Sequence, residues 1–369
     1  MRGQPPHLRV SITRVTGISA DAGRGAPVAG VPAGCEAARV ARVDRGLLTV
    51  LTAAGERRVR AGGGLHGDDA PAVGDWVAVR GDLAVRVLPR RTAFVRTAAG
   101  RGSAPQVVAA NVDLVLVVDA LVGAARLRRV ERYLAVAWAS GATPVVVLTK
   151  ADLCADVPAA LARVAEDAVG VEVLAVSAVS GAGLAELGAL VAPGCTAAMV
   201  GPSGVGKSSL ANALAGRSVA VTAGIRADGR GRHTTTAREL HLLPGGGLLI
   251  DTPGMRELAL PGGDGLDTTY ADVADWATYC RFRDCAHRTE PGCAVAAAIE
   301  RGDLDPARPT AWRKLQAEAH RQELRADARA RAVEHARLRA FSRELRAPGQ
   351  TEPLTGRDGH VCPPGVGPR

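Results

Sequence analysis

Gly201-Pro202-Ser203-Gly204-Val205-Gly206-Lys207-Ser208 matches G-x-x-x-x-G-K-[ST], a spacing suited to holding phosphates. Glycines let successive backbone N–H groups curl around phosphate oxygens, and a helix starting at the loop's end adds the positive end of its dipole. Lys207 would reach the β- and γ-phosphates, the Ser208 hydroxyl would ligate the accompanying Mg²⁺, and Ser209 would extend the cradle into the helix. A second constellation lies downstream, Cys280-x₄-Cys285-x-His287-x₅-Cys293. Three thiolates and one imidazole make the four-ligand set of one closed, structural Zn²⁺ site, with no position left for a catalytic water. The chain has seven cysteines in all, too few at this length for a disulfide scaffold, so the cluster reads as metal.

The phosphate loop implies a nucleoside triphosphate without naming the base. Leu148-Thr149-Lys150-Ala151-Asp152 follows an apolar run and resembles the guanine-reading N/T-K-x-D element of GTPases. A carboxylate at Asp152 can accept from both N1–H and N2–H₂ of guanine; adenine offers neither donor, and a buried Asp152 would be left unpaired against it. Thr149 stands where Asn is commoner, while the stem of Lys150 can lie over the purine. Ser177-Ala178, ahead of Gly181-Ala182-Gly183, resembles the S-A loop whose backbone N–H meets guanine O6. Asp251-Thr252-Pro253-Gly254 resembles the D-x-P-G switch II element, with Asp251 holding Mg²⁺ through water and Gly254 as a switch residue. Gly229 to Thr236 occupies the place of switch I, and motif alignment selects Thr235 to close on Mg²⁺ and the γ-phosphate. Met255 follows D-x-P-G where Ras-like enzymes carry a water-orienting Gln, and a thioether cannot donate a hydrogen bond to water.

These elements need a parallel sheet to position them. Apolar runs at Val112–Asp119, Pro144–Leu148, Val171–Val176, Thr196–Val200 and Leu248–Ile250 alternate with helical patterns such as Leu127–Ala139 and Ser209–Leu214, the signature of strands covered on both faces. The base reader and S-A loop precede the phosphate loop, reversing the usual order, so the domain is circularly permuted and switch II leads into the Cys-bearing segment. Upstream, Ala37–Val43, Leu47–Leu51, Trp76–Arg80 and Ala84–Leu88 are short β-type runs that fit a small barrel, an OB-fold. Arg39, Arg42, Arg57, Arg58, Arg60, Arg86, Arg90 and Arg91 are expected to decorate its surface. The fold class is thus an α/β P-loop GTPase, circularly permuted, flanked by an N-terminal β-barrel and a C-terminal α-helical zinc-binding domain. Residues 1–34 and 347–369 read as flexible tails, 35–95 as the barrel, 96–276 as the GTPase, and 277–346 as the zinc-binding and helical part, with a basic helical stretch over Trp312–Arg346.

With 47% hydrophobic residues in 369, the chain can bury more than one core, which excludes wholesale disorder. No apolar run approaches the roughly 18 residues of a membrane span, and no secretory signal is read at the N-terminus. A cytoplasmic protein without membrane partners is expected. The 46 basic against 37 acidic residues, net +9, favour a polyanionic partner.

On the motifs quoted above, the chain resembles the RsgA (YjeQ) family of circularly permuted GTPases over residues 35 to about 345. The resemblance implies GTP hydrolysis to GDP and phosphate, stimulated by the 30S ribosomal subunit. It also implies a late checkpoint in subunit maturation, with the barrel and zinc domain on 16S rRNA. It implies His233 as the catalytic residue that orients or relays a proton from water, Zn²⁺ and Mg²⁺ as the metals, and a monomer. The alternative is an rRNA-binding assembly factor that holds GTP with negligible turnover of its own, which Met255 favours.

Overall fold

The structure is a computed structural model that describes residues 30–97, 105–121, 127–168, 170–220, 238–251, 264–288 and 290–326. Its first five strands, β1 (Glu36–Asp44), β2 (Leu47–Thr52), β3 (Gly55–Ala61), β4 (Trp76–Arg80) and β5 (Leu83–Val87), form a closed barrel. Closure comes from β1, which pairs antiparallel with both β2 and β4, while β5 bridges β3 and β4. Alternation along the strands sends Ala38, Val40, Leu48, Val50, Val59, Val77, Val79 and Ala84 inward to fill the small interior. β3 was not visible as a run, because Gly-Glu-Arg-Arg-Val-Arg-Ala buries Val59 alone.

A hairpin, β6 (Ala93–Thr97) with β7 (Pro105–Ala110), leads to the parallel strands β8 (Leu114–Ala120), β9 (Thr143–Thr149), β10 (Glu172–Ala175), β11 (Thr196–Val200) and β13 (Leu248–Asp251). Their spatial order is β10-β9-β8-β11-β13, and β12 (Glu239–Leu242) adds antiparallel to β13. Both faces are buried. On β8, Val115 and Val117 face α1 (Leu127–Ala139), whereas Leu116 and Val118 share a core with α3 (Leu184–Leu190) and α4 (Lys207–Ala215). This double covering explains why the strands read as continuous apolar runs.

Two arginines seal the long-range joints. Arg39 is not on the surface as expected but buried under the barrel, its Nη2 donating to Asn111 O at 3.0 Å and Thr196 Oγ1 at 3.1 Å, with its guanidinium over the Trp76 ring. Burial pushes its pKa down to about 10. Arg90 likewise turns inward, pairing with the fully buried Asp75 at 2.8 Å, whereas Arg58, Arg60, Arg86 and Arg91 are exposed. The second joint ties α8 (Ala307–Ala326) to the helices packed on the parallel sheet. Arg308 donates to Glu131 on α1 at 3.0 Å and bidentately to Asp272 on α6 (Ala271–Ala277) at 2.7 and 2.8 Å. It also reaches the carbonyls of Asp167, which closes α2 (Val157–Asp167), and of Thr269, which closes α5 (Asp264–Thr269). The expected continuation of this helix to Arg346 lies outside the described residues.

Arg308→Ala should therefore leave Glu131 buried without its cation and lower stability by about 3–5 kcal/mol, read as a drop in the urea midpoint. An unchanged midpoint would show that the cluster holds nothing together.

Candidate functional site

The phosphate loop leaves the end of β11 and turns into α4. Gly201 sits at φ 149°, and a Cβ there would meet the Val118 carbonyl of β8 at 2.1 Å, so only glycine lets the loop lie against that strand. Gly206 takes a left-handed conformation (φ 101°) ahead of Lys207 and provides no side-chain cap. The first-turn N–H groups of α4 thus have no intrahelical partner and converge where phosphates would sit. Lys207 Nζ donates to the carbonyls of Gly201 at 2.9 Å and Pro202 at 2.7 Å, folding its charge over the loop. Val205 is buried beneath the loop in the α4 core, while Ser203, Gly204 and Ser209 are exposed and Ser208 is half-buried.

Asp251 ends β13, one strand over. Burial pushes its carboxyl above the usual aspartate range, opposed first by the charge of Lys207 and then by His241. Asp251 and Ser208 are the described residues suited to Mg²⁺. His233, Thr235 and Gly254 lie outside the described residues, as does Met255.

The Thr149–Asp152 element begins at the end of β9, which is separated from β11 by β8. Thr149 is buried, and its hydroxyl donates to the Val205 carbonyl of the phosphate loop, with the Asp119 carbonyl also at 3.2 Å. The residue that departs from the commoner Asn therefore supplies the tie to the neighbouring loop. Lys150 turns left-handed (φ 61°), and its Nζ donates to Gly204 O at 3.1 Å, so its stem spans from β9 to the phosphate loop. Ala151 and Asp152 begin a 3₁₀ turn, and Ala151 N–H donates to Val176 O at 3.2 Å. Ser177, fully buried, donates its hydroxyl to Asp152 Oδ1 at 2.5 Å and accepts from the N–H groups of Val179 and Ser180. Ala178 follows at the lip. The S-A loop thus aims the Asp152 carboxylate. That carboxylate is exposed rather than buried, so the penalty for facing adenine arises only once a base covers it.

Sequence reasoning missed one contributor and named another without a role. Asp119 caps β8, its carbonyl beside Thr149 and its Oδ1 accepting from Ala120 N–H at 2.9 Å; the signal was a polar residue ending an apolar run. Gly183, in the turn before α3, would place a Cβ 2.3 Å from the Ala175 carbonyl, so it sets how closely the S-A loop folds back on β10.

The Cys/His cluster is brought together as its spacing implied. The ligand atoms of Cys280, Cys285, His287 and Cys293 all lie within 4.8 Å of one another. Cys280 Sγ is 4.0 Å from Cys293 Sγ, and His287 Nδ1 is 3.5 and 3.6 Å from those two sulfurs. A tetrahedral Zn²⁺ with Zn–S near 2.3 Å needs S–S edges of about 3.8 Å, so the donor set fits. The ring of His287 lies against Trp312, and its carbonyl accepts from Arg313 at 2.5 Å, which fixes the cluster to α8.

Residues 87–261 match the RsgA GTPase family. A relative from Streptomyces coelicolor, the small ribosomal subunit biogenesis GTPase RsgA, is 51% identical over 306 residues, covering 80% of this chain and 83% of its own. Its counterpart in Opitutus terrae is 47% identical over 304 residues, with 76% and 83% covered. Among solved structures, YjeQ from Thermotoga maritima is similar with a TM-score of 0.58 and 26% identity, over 77% of this chain and 98% of that one. YloQ, a circularly permuted GTPase, shares the fold with a TM-score of 0.57 at 24% identity, over 78% and 96%.

Two substitutions test this geometry by competing ATP and GTP for a fluorescent guanine nucleotide. Asp152→Asn should relax base choice, and Thr149→Val should weaken guanine-nucleotide binding about fivefold to tenfold, the worth of one buried hydrogen bond. Unchanged GTP-over-ATP preference in Asp152→Asn would sink the base-reader assignment.

Proposed function

Since the chain belongs to the RsgA family of small ribosomal subunit biogenesis GTPases, we propose that it hydrolyses GTP to GDP and phosphate on the 30S subunit as a late maturation checkpoint. It works as a cytoplasmic monomer that binds 16S rRNA. The observation that carries the reading is the meeting of Thr149, Asp152 and Ser177 with the 201–208 loop at the C-terminal ends of adjacent parallel strands. That arrangement accounts for a guanine base at one end and a triphosphate at the other.

Each residue has a role derived from its chemistry. The amides of Gly204 to Ser208 and the Lys207 ammonium bind the β- and γ-phosphates, and Lys207 offsets charge that builds on the transferred group. Ser208 and Asp251, with Thr235, would hold Mg²⁺, which supplies charge neutralisation between the phosphates. Asp152, set by Ser177, reads the base. His233 orients the attacking water, since Met255 cannot. Cys280, Cys285, His287 and Cys293 hold one structural Zn²⁺, and the closed set leaves it no part in hydrolysis. A second reading, a GTP-binding rRNA factor that barely turns over alone, draws on Met255.

Multiple-turnover hydrolysis with and without 30S subunits, together with nucleotide-dependent co-sedimentation, separates the two. A rate that rises with subunits supports the enzyme, and flat rates in both favour the binding factor. Lys207→Ala should abolish productive turnover. His233→Ala should keep GTP affinity and lose about 10²- to 10⁴-fold in single-turnover hydrolysis at saturating 30S; a near-normal rate there would remove His233 from the chemistry.

For the metal, elemental analysis should find one zinc per chain. Cys285→Ala should lose it and lower the melting temperature, because metal binding contributes folding free energy and the ligand loop is what holds His287 against Trp312 of α8. Zinc-free wild-type protein of normal stability would refute the site.

A further inference from the structure

β1, β12 and β13 are neighbours in the sheet, and their registers place three charged residues in one row. Arg42 of β1 stands opposite Glu239 of β12, and Glu239 stands opposite Asp251 of β13. Residues opposite each other on neighbouring strands point to the same face, with Cβ atoms about 5 Å apart. That face is the one covered by α4, since Leu249, two residues before Asp251, shares a core with Leu210 and Ala211 of that helix. Asp251 is buried. Glu239 is half-buried, and its Oε1 accepts from Arg42 Nη1 at 3.1 Å.

Two carboxylates directly opposite each other are unfavourable unless cations stand beside them. Burial is the main cause that pushes the Asp251 carboxyl up, and Glu239 adds in the same direction, against Lys207 and His241. From the barrel side, Arg42 draws the Glu239 carboxylate toward itself, and it holds Asp44 at 3.0 Å as well. A divalent cation at Asp251 reverses the sign of the Glu239 contribution. The carboxylate that repels Asp251 attracts the metal, and the closer it lies to Asp251 the stronger that attraction is. Where Arg42 holds Glu239 therefore matters to the cation.

We propose that Glu239, placed by Arg42 of the barrel, is a positioning residue that sets how tightly Mg²⁺ binds at Asp251. This rests on the GTPase reading above, with Asp251 as a Mg²⁺ residue. The donor set fits that ion: β13 pairs with β11, whose end leads through the phosphate loop to Ser208, so a carboxylate and a hydroxyl oxygen face a hard cation. Glu239 itself is no ligand in this arrangement, because Arg42 holds it; it acts through its charge. The row joins three parts of the chain that are far apart in sequence. Arg42 belongs to the barrel, Glu239 opens β12 just after the expected switch I segment, and Asp251 closes β13 at the D-x-P-G element. The barrel thereby acts on the metal end of the nucleotide site across two strand spacings.

The test titrates Mg²⁺ into the full chain loaded with a fluorescent GDP analogue and reads the nucleotide's dissociation rate as a function of the metal. Glu239→Gln should weaken the apparent Mg²⁺ affinity about threefold to tenfold, the worth of one screened charge at this range. Arg42→Gln should do the opposite and strengthen it about threefold, because Glu239 is freed to move toward Asp251. Arg42→Lys, which keeps the charge, should stay near wild type. The double variant should lie close to Glu239→Gln, since Arg42 stands a strand further off and acts through Glu239. Melting temperatures should change little, because both partners are more than a third exposed. Opposite signs are what a merely structural joint cannot give: equal weakening in both single variants, or no shift in either, would overturn the proposal. An Arg42→Gln gain that persists undiminished in the double variant would assign the effect to Arg42's own charge and remove Glu239 from it. Wild-type protein that binds the nucleotide without any response to Mg²⁺ would overturn the proposal and leave the GTPase reading standing. Wild-type protein that binds no guanine nucleotide would overturn both.

Discussion

A side chain at position 201 would set its Cβ 2.1 Å from the carbonyl oxygen of Val118, a distance real atoms do not reach. The phosphate loop can therefore lie against β8 only because the chain there is bare. The rest of the nucleotide site is placed from that contact. Asp119, the next residue on β8, presents its carbonyl to Thr149, and Thr149 returns a hydrogen bond to Val205 within the loop. Three strand ends are thereby tied into one rim, and the base reader and the phosphate cradle are kept at a fixed separation. A rigid separation is what lets binding free energy at the base be used for placing the phosphates.

Around Arg308, a buried cation is matched by Glu131 and Asp272 and by two backbone carbonyls, so its donors are satisfied. Burial pushes the Glu131 carboxyl up while Arg308 and Tyr270 hold it down, as expected of a well-paired cluster. One side chain thereby ties the last described helix to α1, α2, α5 and α6.

The parts legible in the sequence were those whose chemistry is local. The 201–208 loop, the Thr149–Asp152 element and the Cys/His spacing each lie within fourteen residues, so their geometry follows from chain connectivity and short turns. What escaped was long-range. Arg39 looked like one more surface arginine, yet its partners Asn111 and Thr196 lie 72 and 157 residues away. β3 and β12 escaped because each buries only one or two side chains, too few to set a pattern. Thr149 was legible as a departure from Asn, but its compensating hydroxyl contact needs the loop folded beneath it.

The two-sided pairing of β1 has a consequence for synthesis. Its first half, Glu36–Arg39, is covered by β4, but at Arg42 the same edge is taken by Glu239 of β12. On the ribosome the barrel can close once β5 has emerged, while the stretch beyond Val40, whose own backbone pairs with Gly74 and Asp75, waits for Glu239, made 195 residues after Asp44. At ordinary translation rates that interval is roughly 10 to 40 seconds, during which an open strand edge is exposed to other nascent chains. The exposed portion carries Arg42 and Asp44, ion-paired to each other at 3.0 Å, and a bulge at Ala41. Charges and bulges are what keep an unpaired edge from recruiting a foreign strand. The same Arg42 that later receives Glu239 thus guards the edge while the nascent chain is incomplete.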